Sequence, residues 1–250
     1  MAGLTIIIPT LNEEEFIEQA IMSASFADEI LIIDSFSRDR TLDIAKKHRV
    51  TVCQRAFDNF SSQKNYAIDR ASHEWIFILD ADEVIIPELQ KEIASEIRKA
   101  EPHKAYEVKT VRMFMGRQMK YGTAKNDTKT LLFQKQHARF GAKLVHENLV
   151  VEGSRGALKH YILHYTYRGF DHFVSKKNHY AWLQAREMFD KGKKANIFHI
   201  LVKPPFRFFS EYILKRGFMD GFPGFVNAYI NSYGVMTRYI KLWLLQHQQK

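Results

Sequence analysis

The first hundred residues alternate between short apolar runs and amphipathic stretches of helical length. The runs at residues 4–9 (LTIIIP) and 29–34 (EILIID) enclose a segment in which apolar residues recur at helical spacing. Strands that alternate with such helices indicate βαβ units, which form a mostly parallel sheet covered on both faces. The sequence therefore predicts an α/β fold. Further strands are predicted at residues 50–54 and 75–80, and helices over residues 13–24, 39–48, 61–71 and 88–99.

The pattern changes beyond residue 100. Residues 105–116 and 130–135 are predicted to be antiparallel strands, and residues 159–168 (KHYILHYTYR) a further strand. From about residue 170 onward the chain is predicted to be helical, with breaks at the prolines of residues 203–205 and 221–224. The sequence thus predicts a parallel sheet first, antiparallel strands next and a helical end.

The start of the first helix carries a residue pair that resembles a helix cap. Asn12 is followed three residues later by Glu15, the spacing at which a capping side chain and an acid bond each other's backbone N–H groups. Glu13 and Glu14 fit the same interpretation, because carboxylates are favoured near the positive end of a helix dipole. The pair predicts a helix that begins close to Asn12.

Three polar clusters follow predicted strands directly, at residues 9–13 (PTLNE), 34–39 (DSFSRD) and 80–83 (DADE). Ligands of parallel sheets bind at the carboxyl ends of the strands, so these clusters should converge on one rim. Carboxylates this close repel each other unless a cation or hydrogen-bond donors offset their charges. Asp80 and Asp82 suit Mg²⁺ or Mn²⁺, which prefer oxygen ligands and are commonly held together with substrate phosphates. Neither glycine-rich phosphate-loop pattern occurs in the chain, so a nucleotide must be held by other groups.

Four ordered motifs over about residues 4–90 resemble the family-2 glycosyltransferases, which have the Rossmann-like GT-A fold. They are TIIIPTLNEEEFI, ILIIDSFSRDRT, SQKNYAI and WIFILDADE. Later segments, among them LVHENL and LHYTYR, are similar to a smaller bacterial branch that includes lipopolysaccharide-core glucosyltransferases. The resemblance implies an inverting, metal-dependent enzyme that moves a hexose, expected to be glucose, from a nucleotide sugar, expected to be UDP-linked. The implied acceptor is a lipopolysaccharide-core or related cell-envelope glycan that is lipid-linked.

The resemblance also implies which residues bind the nucleotide sugar. Asp34 matches the acid that contacts uracil or ribose, and Lys64 with Asn65 matches a basic-residue–Asn pair near the nucleotide. An alternative role for Asp39 is that of a helix cap only. An alternative for Lys64 is that it is a solvated surface residue. The full donor set implied is Pro9, Thr10, Asn12, Glu13, Asp34, Ser35, Asp39, Lys64, Asn65, Asp80 and Ala81.

A divalent metal, Mg²⁺ or Mn²⁺, is the cofactor that the resemblance implies. Asp82 would be the direct ligand, with Asp80 nearer the ribose. His164 lies in the predicted strand at residues 159–168, where some GT-A enzymes recruit a histidine as an additional metal ligand. The alternative for His164 is a hydrogen-bonded histidine of the core.

The catalytic base is expected in the acceptor half of the enzyme. Inversion needs a carboxylate opposite the leaving group, which takes the proton from the acceptor hydroxyl as its oxygen attacks the anomeric carbon. The Glu-Asp pair usual in this family is absent, and Glu147 in LVHENL occupies the comparable place beside His146. Asp127 is the alternative base, and Glu147 has the alternative of an exposed residue near Lys143.

The formal charge of +9 is unevenly distributed. Residues 1–150 carry 21 Lys+Arg and 22 Asp+Glu, whereas residues 151–250 carry 16 Lys+Arg and 6 Asp+Glu. A basic, aromatic segment can contact nucleic acid, rest on an anionic bilayer or pack against the catalytic domain. The lipid-linked acceptor favours the anionic membrane surface, and no nucleic acid is expected. The predicted membrane contacts are Arg207, Lys215, Arg216, Arg238 and Lys241, with Phe208, Phe209, Trp243 and Leu244 in the interface.

These patterns predict a catalytic domain over residues 1–168 and a basic helical extension over residues 169–250. Residues 1–100 would form the nucleotide-sugar half of the catalytic domain and residues 101–168 its acceptor half. The single cysteine, Cys53, excludes an internal disulfide, fits a reducing compartment and is expected to be buried. We expect a cytoplasmic protein, peripheral on the inner face of the cytoplasmic membrane. The alternatives are a nucleotidyltransferase and a non-catalytic membrane- or nucleic-acid-binding module.

Overall fold

The computed structural model of the chain divides into two compact units. The first unit consists of Met1–Thr110 and Asp127–Tyr165, and the second of Val111–Asn126 and Thr166–Lys250. The structure describes residues 2–124, 127–141, 149–165 and 167–247.

The predicted parallel sheet forms in the first unit. Strands β1 (Leu4–Thr10), β2 (Glu29–Asp34), β3 (Thr51–Gln54) and β4 (Trp75–Ile78) lie in the order β3-β2-β1-β4, and each neighbouring pair is parallel. Strands β1, β2 and β4 are buried along nearly their whole length, as expected for strands covered on both faces, whereas β3 at the edge of the sheet is partly exposed. In the register of β1 with β2, Thr10 lies opposite Asp34. The polar clusters after these two strands therefore begin level with each other.

In the described part of the first unit, four helices cover the sheet, each shorter than or shifted from its prediction. The helix α1 begins at Ile17, and within the described part of the chain its N-cap position is Phe16, with no side-chain capping hydrogen bond there. The predicted Asn12–Glu15 cap is therefore wrong. Asn12 has a left-handed backbone (φ 55°), and its Oδ1 accepts from Arg38 N at 2.8 Å, so it joins the loops after β1 and β2. The bounds are α1 (Ile17–Ala24), α2 (Thr41–Ala45), α3 (Phe60–Arg70) and α4 (Pro87–Glu96).

Antiparallel strands extend the same sheet beyond β4, as predicted, in the order β4-β8-β6-β11-β5. The β5 strand was not predicted; it begins at Glu83, the last residue of the DADE cluster, and pairs antiparallel with β11. Cys53 of β3 packs against the core but is half-buried rather than buried as predicted. The strands are β5 (Glu83–Ile85), β6 (Ala105–Phe114), β7 (Arg117–Gln118), β8 (Asp127–Gln134), β9 (Ala138–Phe140), β10 (Leu149–Val151) and β11 (Arg155–Tyr165).

The second unit is mainly helical, as predicted, and one of its apolar clusters includes Ala185, Tyr239 and Leu242. At both predicted proline breaks a new helix starts, with the prolines in its first turn. Proline is tolerated there because backbone N–H groups of the first turn have no partner within the helix, so the N–H that proline lacks is not missed. Among the described residues, no helix combines the length and the hydropathy required to cross a bilayer. The helices are α5 (Phe170–Asp190), α6 (Ile197–Leu201), α7 (Lys203–Phe209) and α8 (Gly221–His247), with a π-helical turn at Ser210–Leu214 and 3-10 turns at Gly122–Ala124 and Gly217–Asp220.

Candidate functional site

A cavity of about 1140 Å³ lies in the first unit at the carboxyl ends of β1, β2 and β4. Parallel pairing of these strands sets their ends side by side, which is why the clusters that follow them meet at this rim. Nine of the predicted site residues line it, namely Pro9, Thr10, Glu13, Ser35, Lys64, Asp80, Ala81, Asp82 and His164.

The carboxylates of the DADE cluster are offset in two ways. Lys129 of β8 places Nζ 3.8 Å from Asp80 Oδ2 and 3.5 Å from Glu83 Oε1. Glu83 is 1% exposed, and its Oε2 accepts from Asp80 N at 3.0 Å. Burial, and next the charge of Asp80, raise the pKa of Glu83 to about 7. The charge of Lys129 and the raised pKa of Glu83 therefore reduce the repulsion among the three carboxylates of the cluster.

His164 is brought to Asp82 by strand pairing. In the register of β11 with β5, His164 lies opposite Glu83, and Tyr165 N donates to Asp82 O at 2.8 Å. The ring Nε2 of His164 lies 3.2 Å from Asp82 Oδ2. Burial by itself would lower the pKa of His164, but the hydrogen bond and charge of Asp82, together with the charge of Glu83, raise it. His164 therefore has a carboxylate partner and faces the cavity.

The side chains at this end of the cavity fit a divalent ion that is bound together with a diphosphate. Within the described residues, no group of three or more His, Cys, Asp or Glu side chains is placed to hold a metal. Asp82 and His164 make a pair, and Asp80 lines the same cavity. Mg²⁺ is usually bound through one or two carboxylates, with substrate phosphates and waters completing its coordination. A protein set of this size fits that pattern.

Asp34 is fully buried and holds the loop after β2. Its carboxylate accepts from Ser37 N at 3.0 Å, from Ser37 Oγ, and from Gln54 Nε2 at 2.9 Å. Asp34 ends a mostly apolar, buried strand and has no contact with water. A carboxylate buried in this way is tolerated only when hydrogen-bond donors satisfy it, which is the role of these groups. Asp34 is not among the residues that line the cavity. Its predicted contact with a nucleoside stays a prediction.

Asp39 and Asn65 also hold neighbouring segments. Asp39 accepts from Thr41 N and Thr41 Oγ with one oxygen and from Glu14 N at 3.0 Å with the other, which joins the loops after β1 and β2. Asn65 exchanges two hydrogen bonds with Phe140, at 2.9 and 3.0 Å, and so fixes β9 against α3. Like Asn12 and Asp34, neither lines the cavity.

The predicted catalytic base lies outside the described residues. Glu147 falls in the segment 142–148, as do His146 and Lys143. Asp127, the alternative base, is the first residue of β8, where it pairs with Thr110 of β6. The assignment of the base therefore stays a prediction.

The cavity also contains residues that the sequence did not single out. Lys129 lies 46 residues after Glu83, and no local pattern connects the two. Phe57 and Phe60, 47% and 59% exposed, line the cavity with ring centroids 4.8 Å apart at 72°. Exposed aromatic rings at a ligand cavity offer flat surfaces for stacking. The only sequence signal for them was two aromatics in a polar, non-periodic stretch.

Comparisons with known proteins identify relatives of the whole chain. The model of the family described as Glycosyl transferase family 2 matches residues 5–147. An uncharacterized glycosyltransferase of Rickettsia bellii is 31% identical over 94% of this chain and 84% of its own length. The lipopolysaccharide core biosynthesis glycosyltransferase LpsC of Rhizobium meliloti is 25% identical over 90% of this chain and 86% of its own. The crystal structure of S. aureus TarS 1–349 is 15% identical, with a TM-score of 0.49, covering 99% of this chain and 92% of that one.

Proposed function

The chain belongs to glycosyl transferase family 2, and we propose that it transfers a hexose from a nucleotide sugar with inversion at the anomeric carbon. Family membership confirms the predicted glycosyltransferase with a GT-A fold, and so disfavours the nucleotidyltransferase and non-catalytic alternatives. The observation that carries the proposal is the convergence of Lys64, Asp80, Asp82 and His164 on one cavity at the carboxyl ends of parallel strands.

The donor diphosphate would lie between the acidic and the basic side chains of the cavity. Lys64 and Lys129 both line it, and each offers a positive charge to phosphate oxygens. Asp82 would hold the divalent ion, with His164 and Asp80 beside it. When bound, that ion offsets the charge that develops on the departing diphosphate. Asp34 would position the nucleoside through the loop that it holds.

The chemical step needs one proton acceptor from this chain. The acceptor hydroxyl oxygen attacks the anomeric carbon on the face opposite the diphosphate, and the bond from that carbon to the diphosphate oxygen breaks with its electrons leaving on the diphosphate. The hydroxyl proton passes to a carboxylate, for which we propose Glu147, with Asp127 as the alternative. Because attack and departure take place on opposite faces, the configuration at the anomeric carbon inverts.

We propose UDP-glucose as the donor and a lipid-linked, lipopolysaccharide-core-like glycan as the acceptor. The donor rests on the motif resemblance over residues 4–90. The acceptor is supported by similarity over 90% of the chain to a protein named for lipopolysaccharide core biosynthesis.

We propose that the protein binds peripherally to an anionic membrane surface, on the inner face of the cytoplasmic membrane. Residues 197–222, which we call the apolar segment, contain four Lys or Arg residues among large exposed apolar side chains. The predicted contacts change in detail: Phe208 is half-buried and stacks on Tyr212, and Arg238 and Lys241 donate hydrogen bonds to α5. The most exposed large apolar side chains of the segment are Ile197, Phe198, Leu201, Phe206, Leu214, Met219 and Phe222, each between 53% and 68% exposed.

A panel of nucleotide sugars, each added with and without Mn²⁺, tests the donor proposal through thermal unfolding. A ligand at about 100 times its Kd stabilises a protein by about 2.7 kcal/mol, or roughly 5–10 °C in Tm for a chain of this size. UDP-glucose with Mn²⁺ should raise Tm by that order, and more than GDP-mannose or UDP-galactose does. The proposal is wrong about the donor if no UDP-sugar stabilises the protein in the presence of Mn²⁺.

A further inference from the structure

The second unit contains a separate open cavity of about 470 Å³. One face of α5 contributes Phe173, Lys177 and Gln184, whose spacing follows the helical repeat. One face of α8 contributes Asn231 and Arg238. None of its lining residues lines the donor cavity. The mechanism proposed above makes no use of it.

Five cations line this cavity: Arg112, Lys176, Lys177, Arg207 and Arg238. Among the described residues, only Arg207 has an ion-pair partner, the carboxylate of Glu211. That carboxylate is 1% exposed and also accepts from Asn231 Nδ2 at 2.8 Å. No carboxylate of the described part of the chain pairs with the other four cations.

The donors of these cations are only partly used. The Nε atoms of Arg207 and Arg238 are buried and have no hydrogen-bond partner within the described part of the chain. Arg238 uses one terminal nitrogen to donate to Gln184 Oε1 at 3.0 Å. Burial, and next the charge of Arg112, lower the pKa of Lys177. An anion bound among these cations would offset their mutual repulsion and supply acceptors for the unused donors.

We propose that this cavity binds a phosphate-bearing group, in the form of a phosphorylated saccharide. Guanidinium groups match phosphate oxygens with paired N–H donors, and ammonium groups add point charges. A cavity of this volume lies in the range of small-molecule sites, so it has room for a sugar as well as a phosphate. The ring of Tyr180, which is 52% exposed, lines the cavity and offers a surface for a sugar ring. Binding of phosphate at this cavity does not depend on the proposed sugar transfer. Only a role of the cavity in holding an acceptor would rest on the proposed function.

Gly234 of α8 gives a way to fill the cavity without removing a charge. It lines the cavity, and a Cβ added to it would meet no atom within 4 Å. A leucine at this position therefore extends into open space, whereas an alanine leaves most of that space free. The pair Gly234→Leu and Gly234→Ala separates occupation of the cavity from a change of helix propensity.

Calorimetric titration of the full-length protein with glucose 6-phosphate and with inorganic phosphate tests the proposal, with glucose as the uncharged probe. The cavity variants are Lys177→Gln/Arg238→Gln and Gly234→Leu. Their matched controls are Lys194→Gln/Arg186→Gln, exposed residues of the same unit, and Gly234→Ala. We expect glucose 6-phosphate to bind the wild type and the controls, with at least tenfold weaker binding to both cavity variants and no binding of glucose.

A second arm uses neutral vesicles with and without phosphatidic acid, because a lipid headgroup carries the same phosphate chemistry. If the cavity variants weaken binding to phosphatidic acid vesicles but glucose 6-phosphate binds neither the wild type nor the variants, the group bound is a lipid headgroup and the saccharide form of the proposal is wrong. If neither glucose 6-phosphate nor vesicles distinguish cavity variants from controls, the proposal is overturned. UDP-glucose stabilisation of the same variants should stay at the wild-type level. That readout shows that the variants are folded and keeps a failure of this proposal distinct from a failure of the donor proposal.

Discussion

At the scale of single residues, we expect a change at Asp82, the partner of His164, to have the most direct effect on turnover. Asp82→Ala should lower kcat by roughly 10²–10³-fold, the order seen when one electrostatic contact to a developing charge is removed. The fold should persist, because the half-buried Asp82 lies on the wall of the cavity, so loss of its side chain leaves no enclosed gap. Steady-state kinetics with and without Mn²⁺ measure the effect, with the exposed Asp43→Ala as control. Near-normal, metal-dependent turnover by Asp82→Ala would exclude it as a required ligand.

Asp34 is expected to act on stability and on donor binding together. Asp34→Ala leaves the donors of Ser37 and Gln54 without their buried acceptor, which costs about 1–3 kcal/mol of unfolding free energy. Because the loop then loses its support, UDP affinity should fall as well. Urea unfolding and calorimetry with UDP measure the two effects separately. A stability loss with unchanged UDP affinity would limit Asp34 to holding the loop.

The base assignment is tested by a pair of isosteric changes. Glu147→Gln should keep donor binding and lose transfer, because the amide retains the shape of the side chain but does not accept the proton. Asp127→Asn is the matched variant and should stay active. If Glu147→Gln turns over normally while Asp127→Asn is inactive, the base is Asp127. Donor binding is followed by thermal stabilisation, and transfer by release of UDP.

At the scale of elements, Asn65 connects a helix to a strand. Its side chain exchanges two hydrogen bonds with the backbone of Phe140, so α3 holds β9 at the cavity. Lys64, its neighbour, places Nζ 5.2 Å from the centroid of the Phe140 ring. Asn65, which was predicted to contact the nucleotide, therefore also has a structural role. The helical pattern of the sequence did not reveal that role.

Asn65→Ala should lower the unfolding free energy by about 1–3 kcal/mol, because the two half-buried backbone groups of Phe140 lose their partners. Hydrogen exchange should show faster exchange at Phe140 N than in the wild type. The control is Gln19→Ala, an exposed change on α1 that should alter stability by less than about 0.5 kcal/mol. Equal exchange rates at Phe140 in the two variants would contradict the role of Asn65.

At the scale of the whole molecule, charge separates between the two units. The second unit carries 18 Lys+Arg against 5 Asp+Glu, whereas the first carries 19 against 23. Cations near an anionic membrane contribute about 1 kcal/mol each, and salt screens them beyond about 8–10 Å. The exposed side chains of the apolar segment would add hydrophobic contact at the same surface.

The protein should therefore co-sediment with anionic vesicles at low salt and be released as salt rises. Phe206→Asp/Leu214→Asp should weaken this binding at least tenfold, because two exposed apolar side chains, 64% and 61% exposed, become charged. Met22→Asp, at an apolar residue of the first unit that is 61% exposed, is the control. Binding to anionic vesicles no stronger than to neutral ones at low salt would rule out the electrostatic attachment.

The sequence by itself determined the parallel half of the sheet and the rim on which the site lies. Runs such as residues 4–9 and 75–78 are apolar on both faces, and strands of this kind are stable only between two helical layers. Parallel pairing then requires their carboxyl ends to meet, so Asp80 and Asp82 could be placed in a site before any tertiary contact was known. Local periodicity carries this information because it reports which residues must leave water.

Only the tertiary structure decided which partner each polar side chain has. Lys129 reaches Glu83 because β8 is inserted beside β4, and Asn12 bonds to Arg38 rather than capping α1 because the loops after β1 and β2 begin level with each other. In the same way, Asp34 bonds to Ser37 and Gln54. A hydrogen bond depends on which segments meet and in which register, and register is set by packing across the sheet. The residue types along a single strand do not specify it.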